Sequence, residues 1–169
     1  MERGFSKRLK VCSQGNNIMK INISMAGKPK KGYLSVDPST VTDDENWYNL
    51  DGKVEDSECV ELILDNVLEY IPSDILKPYM VHWIQKLRRK GIVCITATDF
   101  YEVSKAITMM SIPTDAAREL LFGGQKENWD FKCNQVTVEE VISILKSLGL
   151  TILKKRSNAF TMYIEAQRL

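Results

Sequence analysis

Residues 59–96 contain two short apolar segments, Cys59-Val-Glu-Leu-Ile-Leu64 and Ile92-Val-Cys-Ile-Thr96, with a longer amphipathic segment between them. Apolar runs of this length that are rich in β-branched residues predict buried strands. Between them, apolar residues recur at positions 75, 76, 79, 80, 83, 84 and 87, which is the spacing of one helix face. The region therefore predicts a strand–helix–strand unit of an α/β fold with a mainly parallel sheet.

The ends of that helix are predicted from its polar residues. Ser73-Asp74 can cap a first turn, and Pro78 is expected near the start of the main helix because proline disrupts helix interiors. The basic residues 88–90 suit a helix C-terminus, and Gly91 suits the turn that ends it.

On the N-terminal side, Ile18–Ser24 and Tyr33–Val36 predict short strands, and Trp47–Leu50 predicts another. Only the eight residues from Met25 to Gly32 separate the first two. A parallel crossover normally needs about a dozen residues or more. Either a tight, helix-free loop joins these strands, or they pair in another way.

On the C-terminal side, Thr137-Val-Glu-Glu140 is typical of a capping box that opens an amphipathic helix ending at Gly149. Two further helices are expected before it, at Glu102–Met110 and Thr114–Phe122. The strands Leu150–Leu153 and Ala159–Glu165 predict a final hairpin, which would place an antiparallel strand at or near one edge of the sheet.

Composition excludes several classes of protein. The formal net charge is +1, and the four cysteines lie far apart with no CxxC pair, so a disulfide framework or a zinc site is not expected. Reduced thiols suit a cytoplasmic protein. No apolar run is long enough to span a membrane, so no membrane association is expected.

Charge is distributed unevenly along the chain. Residues 1–32 carry eight lysines and arginines against one glutamate, and residues 37–69 carry eleven acids against one lysine. The basic region could steer an acidic ligand, or the two segments could face solvent or each other. We interpret residues 1–17 as a basic arm and residues 18–169 as one domain. Nucleic acid is disfavoured as a partner because aromatic residues are not interleaved with the arm.

Polar and small residues follow the predicted strands at the sheet edge where ligands of open α/β sheets bind. These strand-end residues are Ser24, Met25, Ala26, Gly27, Asp37, Asp65, Asn66, Thr98 and Asp99.

Six segments in order carry a resemblance to a known family. They are Ile21-Asn-Ile-Ser-Met-Ala-Gly27, Gly32-Tyr-Leu-Ser-Val-Asp37, Val67-Leu-Glu-Tyr-Ile71, Leu87-Arg-Arg-Lys-Gly91, Asp99-Phe-Tyr-Glu-Val103 and Phe122-Gly-Gly-Gln125. The set resembles a family of S-adenosylmethionine-dependent methyltransferases, from about Ile21 to the C-terminus. The resemblance implies a Rossmann-like methyltransferase fold, S-adenosylmethionine as cofactor, and a small molecule or a glycan as methyl acceptor.

The resemblance also implies roles for individual residues. Ser24, Ala26 and Gly27 stand in the loop that approaches the cofactor, and Asp37 would accept hydrogen bonds from the ribose hydroxyls; the alternative for Asp37 is a turn residue before Pro38. Asp51-Gly52 would lie near the adenine or form an ordinary turn. Asp65 and Asn66 would face the methyl-donor pocket, unless Asn66 merely caps the following turn.

Asp99 is the candidate general base, with Tyr101 nearby, and its alternative is a helix cap. His82 is a second base candidate, although a partly exposed structural histidine is the simpler interpretation. Gly123-Gly124 could be a hinge or a helix-ending turn, and Trp129 and Phe131 could line an acceptor pocket or pack in the fold.

The sequence also departs from the family pattern. Ser24, Met25 and Ala26 replace a Gly-Cys-Gly loop, Tyr70 replaces a histidine, and Lys132 lies near the place of another histidine. A catalytically inactive binding or assembly module of the same fold is therefore the alternative to an active methyltransferase.

Overall fold

A computed structural model describes residues 18–40 and 47–169, so the predicted basic arm, residues 1–17, lies outside the described residues. In this part of the chain, six strands form one sheet in the order β2-β1-β3-β4-β6-β5. The strands are β1 (Met19–Ser24), β2 (Leu34–Val36), β3 (Cys59–Asp65), β4 (Leu87–Thr98), β5 (Leu150–Asn158) and β6 (Thr161–Arg168). The helices are α1 (Ser73–Lys86), α2 (Phe100–Thr108), α3 (Thr114–Phe122) and α4 (Val138–Ser147).

The predicted fold class is confirmed. Strands β2, β1, β3 and β4 are parallel, and β6 runs antiparallel between β4 and β5. The predicted hairpin therefore places β5 at the edge of the sheet and β6 one position inside it. Thr137 caps α4 as predicted, since the Glu140 backbone N–H donates to Thr137 Oγ1 at 3.3 Å.

One face of the sheet is apolar. Alternate residues of four strands point to it and have no exposed surface: Ile21, Ile23, Leu62, Leu64, Val93, Ile95, Met162 and Ile164. Helices α1 and α4 bury their apolar sides in the same core, through Trp83 and Leu145 among others. We call the other side the polar face; it carries Lys20, Ser24, Glu61, Asp65, Thr96, Tyr163, Glu165 and Arg156.

Strands β1 and β2 pair in parallel through a helix-free loop, the first of the two alternatives that the sequence left open. The loop lies toward the polar face, where Lys30 Nζ sits 4.5 Å from the centre of the Tyr33 ring. Its Gly27 packs tightly, because a Cβ at that position would lie 2.0 Å from Ser24 Oγ.

The predicted strand at Trp47–Leu50 is wrong. This segment is a loop whose aromatic rings cover α1, with the Tyr48 and Tyr79 ring centres 4.3 Å apart. The Trp83 indole N–H donates to the Tyr48 carbonyl at 2.9 Å. Aromatic residues are common in strands, but here they pack against the surface of α1 instead.

Both predicted ends of α1 are also wrong. The helix starts at Ser73, and Pro78 is its sixth residue, which is exposed. The helix ends at Lys86, and Leu87 already belongs to β4. Gly91 lies within β4 and does not end the helix. Its backbone packs closely against its neighbours, since a Cβ there would lie 2.8 Å from the Arg88 carbonyl and 3.1 Å from the Cys59 carbonyl.

Helix α2 begins two residues before its predicted start, because Asp99 caps it at Phe100. Helices α2 and α3 pack on each other beside the carboxyl edge of the sheet. No helix in residues 18–40 or 47–169 is long and apolar enough to cross a membrane.

Candidate active site

The order of the strands defines a crevice at one edge of the sheet. From β1 the chain moves outward to β2 on one side, and then returns to form β3 on the other side of β1. The segments that leave β1 and β3 therefore diverge, and ligands of open α/β sheets bind at such a switch point outside the carboxyl ends of the strands. Ser24 and Asp65, which are register partners, end these two strands.

The Asp65 carboxylate is the centre of a polar network at the switch point. Its Oδ2 accepts a hydrogen bond from Ser24 Oγ at 3.1 Å, and its Oδ1 accepts one from Asn66 Nδ2 at 3.0 Å. Thr96 Oγ1 also donates to Oδ1. Asn66 adopts a left-handed backbone conformation with φ of 51°. The structure thus brings Ser24, Asp65 and Asn66 together, as the sequence predicts.

Asp37 directly follows β2 and closes the loop after β1. The Ala26 backbone N–H donates to Asp37 Oδ1 at 2.9 Å. The backbone N–H of Ser39 at 3.0 Å and its hydroxyl at 2.7 Å donate to the same oxygen. All three of these described donors engage Oδ1, and the carboxylate is half-buried. Asp37 therefore forms the turn expected of it, and none of these three donors engages its other oxygen.

Asp51 lies elsewhere in the molecule. Its carboxylate pairs with Lys86 Nζ at 2.7 Å, at the last residue of α1, and Asp56 pairs with the same ammonium at 2.8 Å. This ion pair lowers the pKa of Asp51. Because α1 ends where β4 begins, Asp51 lies toward the amino edge of the sheet, away from Asp37 and Asp65. His82 belongs to the same region, where its Nε2 accepts the Leu50 backbone N–H at 3.0 Å.

Asp99 follows β4 and is 4% exposed. Its Oδ1 accepts the Tyr101 backbone N–H at 3.1 Å, so it acts as the cap of α2. It also lines a hollow of about 420 Å³ together with Tyr101, Thr137 and Lys155. The position is compatible with both alternatives that the sequence left open.

A buried charged group beside this edge was missed at the level of sequence. Glu69 has no exposed surface, and its Oε1 accepts the Thr98 backbone N–H at 2.6 Å. Lys132 Nζ lies 4.0 Å from Glu69 Oε1 and donates to Thr98 Oγ1 and to the Leu120 carbonyl, each at 3.0 Å. Glu69 lies inside the segment Val67–Ile71 that carries part of the family resemblance, which was the available signal.

Two further contacts connect the loop of residues 123–134 to the turn after β3, which contains Glu69 and Tyr70. The Tyr70 hydroxyl donates to Asp130 Oδ1 at 3.0 Å, and burial, followed by this contact, raises the pKa of Tyr70. Gly123 fits closely under Asp130, because a Cβ at Gly123 would lie 2.5 Å from the Asp130 carbonyl. The pair Gly123-Gly124 thus forms a helix-ending turn, and Trp129 packs with its ring centre 6.1 Å from that of Tyr70.

Solved structures similar to this chain are methyltransferases. One from Archaeoglobus fulgidus matches with a TM-score of 0.58 at 10% identity, over 89% of this chain and 86% of that one. One from Mesorhizobium loti matches with a TM-score of 0.55 at 11% identity, over 88% and 90%. The 1,6-didemethyltoxoflavin-N1-methyltransferase of Burkholderia thailandensis, with its didemethyltoxoflavin and S-adenosylhomocysteine bound, matches with a TM-score of 0.54 at 10% identity, over 90% and 72%.

This chain has the S-adenosylmethionine-dependent methyltransferase fold. It spans only 51%, 30% and 34% of three further methyltransferase structures. No family model and no curated protein matches the sequence. Likeness at this level of identity establishes the methyltransferase fold, and the activity has to be argued from the site.

The switch-point residues of this methyltransferase fold suit a nucleoside cofactor at the ribose. Asp37 has one carboxylate oxygen that none of its three described donors engages, and an acidic group at the end of the second strand is the ribose ligand of related dinucleotide folds. The loop after β1 suits the cofactor less well, because Ala26 adds a Cβ that a glycine would not have. The Ala26 backbone N–H is also already bonded to Asp37. No group of three or more potential metal ligands occurs among residues 18–40 and 47–169.

Proposed function

We propose that this protein binds S-adenosylmethionine at the switch point between β1 and β3 and transfers its methyl group to a small molecule or a glycan. The observation that carries the proposal is the convergence of Ser24, Asp37 and Asp65 at this crevice in a methyltransferase fold. We also infer a cytoplasmic location, because the three described cysteines are free thiols.

In this proposal each switch-point residue has one task. Asp37 accepts the ribose hydroxyls with Oδ2, while Oδ1 keeps Ala26 and Ser39 in place. The backbone of residues 24–27 lies along the cofactor. Asp65 and Asn66 border the methyl-donor pocket, and the hydrogen bonds from Ser24 and Thr96 fix the Asp65 carboxylate. Asp51 is not included, because it pairs with Lys86 toward the other edge.

The bound cofactor supplies an electrophilic methyl group, and the protein aligns the acceptor with it. Asp99 is the proposed base that takes the proton from an acceptor hydroxyl or amine. One Asp99 oxygen caps α2, which holds the carboxylate at the hollow lined by Tyr101 and Thr137. The second carboxylate oxygen would receive the proton.

Titration calorimetry with S-adenosylmethionine and S-adenosylhomocysteine tests the binding step. Asp37→Asn is the informative variant, because its amide oxygen can still accept the Ala26 N–H while its NH₂ group cannot accept a ribose hydroxyl. We expect the affinity to fall about tenfold or more, since a hydrogen bond to a charged group contributes about 1.5–3 kcal/mol. Asp51→Asn is the matched control and should bind the cofactor like the unaltered chain.

A folded protein without cofactor affinity at millimolar concentration would favour the second candidate function, a binding or assembly module of the same fold. A specific observation favours that candidate. The hydrogen bond from Ala26 to Asp37 occupies a backbone N–H of the loop after β1 that would otherwise be available to the cofactor, and β2 follows without an intervening helix. Equal affinity of Asp37→Asn and the unaltered chain would instead reject the assigned ribose contact.

A further inference from the structure

One row of polar side chains crosses the polar face at the carboxyl side of the sheet. Ser24 pairs in register with Asp65, Asp65 with Thr96, Thr96 with Tyr163, and Tyr163 with Arg156. Directly paired residues on neighbouring strands point to the same face. The row therefore runs over five strands, from the switch point to the edge strand β5.

Polar residues on this face of the three parallel strands β1, β3 and β4 are unusual. Such strands are normally apolar on both faces because helices cover both. Here Ser24 and Thr96 donate hydrogen bonds to Asp65, while Lys20 pairs with Glu61 at 2.8 Å further along the same face. The ion pair and the two hydroxyl hydrogen bonds show that these strands present polar groups on this side.

The row ends in a hollow of about 540 Å³ lined by Arg156, Asn158, Thr161 and Tyr163. Arg156 faces Tyr163 across the hairpin, and Asn158 faces Thr161. Since residues two apart on a strand share a face, all four side chains belong to the polar face. The hollow thus gathers a guanidinium, an amide and two hydroxyl groups, and three of these residues lie exposed at the edge of the sheet.

The nearby charges leave this hollow positive. The nearest acid on the hairpin, Glu165, is paired with Lys154 at 2.9 Å and accepts the Tyr163 hydroxyl at 3.1 Å. The Cys94 and Glu165 contacts, together with burial, raise the pKa of Tyr163, so its phenol stays neutral. The hydrogen bond from Lys154, with a smaller contribution from the charge of Arg156, lowers the pKa of Glu165. Arg156 itself has no carboxylate within ion-pair distance among the described residues. Its charge is therefore available to a ligand.

We propose that Arg156, Asn158 and Thr161 form a binding site for an oxyanion, a carboxylate or phosphate group carried by a ligand. Arginine presents a planar fork of donors that matches both groups, and the amide and hydroxyl add neutral donors beside it. The assignment of this anion to the methyl acceptor rests on the proposed methyl transfer. Three strand spacings place Asp65 about 14 Å from Arg156, a distance that an elongated acceptor spans.

The site is tested with inorganic phosphate and, separately, with succinate, titrated into the full chain at constant ionic strength and followed by amide NMR. We expect saturable shifts of the Asn158 side-chain amide and the Thr161 backbone amide, with a dissociation constant on the order of 1 mM for the better anion. Stronger binding of phosphate or of succinate identifies which oxyanion the site prefers.

Arg156→Gln should weaken this binding about tenfold or more, because it removes the charged donor but keeps an amide. Arg89→Gln is the matched control: Arg89 is an exposed arginine near the start of β4, at the opposite edge, and its loss should leave binding unchanged. Equal binding by Arg156→Gln, or shifts that chloride reproduces, would overturn the site.

The same samples separate this proposal from the proposed function. Phosphate or succinate binding without affinity for S-adenosylmethionine rejects the methyltransferase and keeps the anion site. Cofactor binding without any anion binding rejects the anion site alone. Arg156→Gln should bind the cofactor normally, because Arg156 lies on the edge strand away from the switch point.

Discussion

The Glu69 carboxylate is fully buried and relies on few partners. One oxygen accepts the Thr98 N–H and lies 4.0 Å from Lys132, while the other oxygen has no hydrogen-bond partner within residues 18–40 and 47–169. A buried charge without its counter-ion is strongly destabilising, even where the intact pair adds little. The Lys132 side chain is 13% exposed. Through these contacts, Lys132 anchors its own loop to the turn after β3.

Lys132→Met is expected to lower the free energy of unfolding by about 3–5 kcal/mol, because it leaves the Glu69 charge without a cation. Adding Glu69→Gln to the same chain should recover part of the loss. Lys105→Met removes a surface pair of 3.8 Å with Glu102 and should cost less than about 1 kcal/mol. Urea denaturation measures all three, and a loss no larger for Lys132→Met than for Lys105→Met would contradict the prediction.

Gly27→Ala is expected to destabilise the chain by about 1–3 kcal/mol, since the new Cβ would lie 2.0 Å from Ser24 Oγ and 2.5 Å from Ser24 Cβ. Ser24→Gly removes both atoms and should relieve most of this cost in the double variant. Gly52→Ala controls for backbone strain, because its φ is 74° but nothing lies within 4 Å. Chemical denaturation of the four proteins gives the coupling, and additive losses would exclude the clash.

The sequence predicts which residues end the strands better than it predicts which residues lie beside them on neighbouring strands. Ser24, Asp37, Asp65 and Asn66 were predicted because a buried strand is recognisable and its last polar residue follows at once. Arg156 could not be assigned to the same row, because cross-strand register depends on how the whole sheet pairs.

At the scale of elements, α1 shows how tertiary packing overrides a local preference. Its exposed Pro78 removes the N–H that would bond the Asp74 carbonyl, yet Leu76, Met80 and Trp83 bury the helix on the sheet. The sequence therefore predicts the helix and its apolar side but places its first residue too late. The wrong prediction of a strand at Trp47–Leu50 has the same cause, because the aromatic residues of this segment pack on α1.

Pro78→Ala is expected to raise the free energy of unfolding by about 1–2 kcal/mol, because it restores one helical hydrogen bond at an exposed position while giving back some entropy to the unfolded chain. Pro72→Ala, at the cap that precedes α1, has no helical bond to restore and serves as the comparison. Thermal and urea unfolding measure both variants. A lower stability of Pro78→Ala would show that the proline is needed for the course of the helix.

At the scale of the whole molecule, burial favours neutral forms of thiols and phenols in the alkaline range. It raises the pKa of the Cys59 thiol from 9.0 to about 11, and it raises the pKa values of Tyr48 and Cys94 as well. Between these two values the folded chain keeps a proton on Cys59 that the unfolded chain releases. The contribution of Cys59 to stability is therefore fully present below pH 9 and is lost as the pH rises toward 11.

Cys59 alone should account for about 1–2 kcal/mol of this alkaline loss. Urea denaturation at about pH 8 and about pH 10.5 measures it. Cys59→Ala should be less stable at the lower pH because of the cavity it leaves, but should lose less on going to the higher pH. The same alkaline loss in both proteins would assign the effect to other groups.

The position of β6 also governs the order in which the molecule can be built. It follows the other five described strands in the chain, yet lies between β4 and β5. During synthesis the ribosome therefore delivers an interior strand after both of its neighbours, and the sheet cannot grow outward in the order of translation. Until β6 emerges, one edge of β4 stays unpaired, and a nascent chain at that stage needs protection from aggregation.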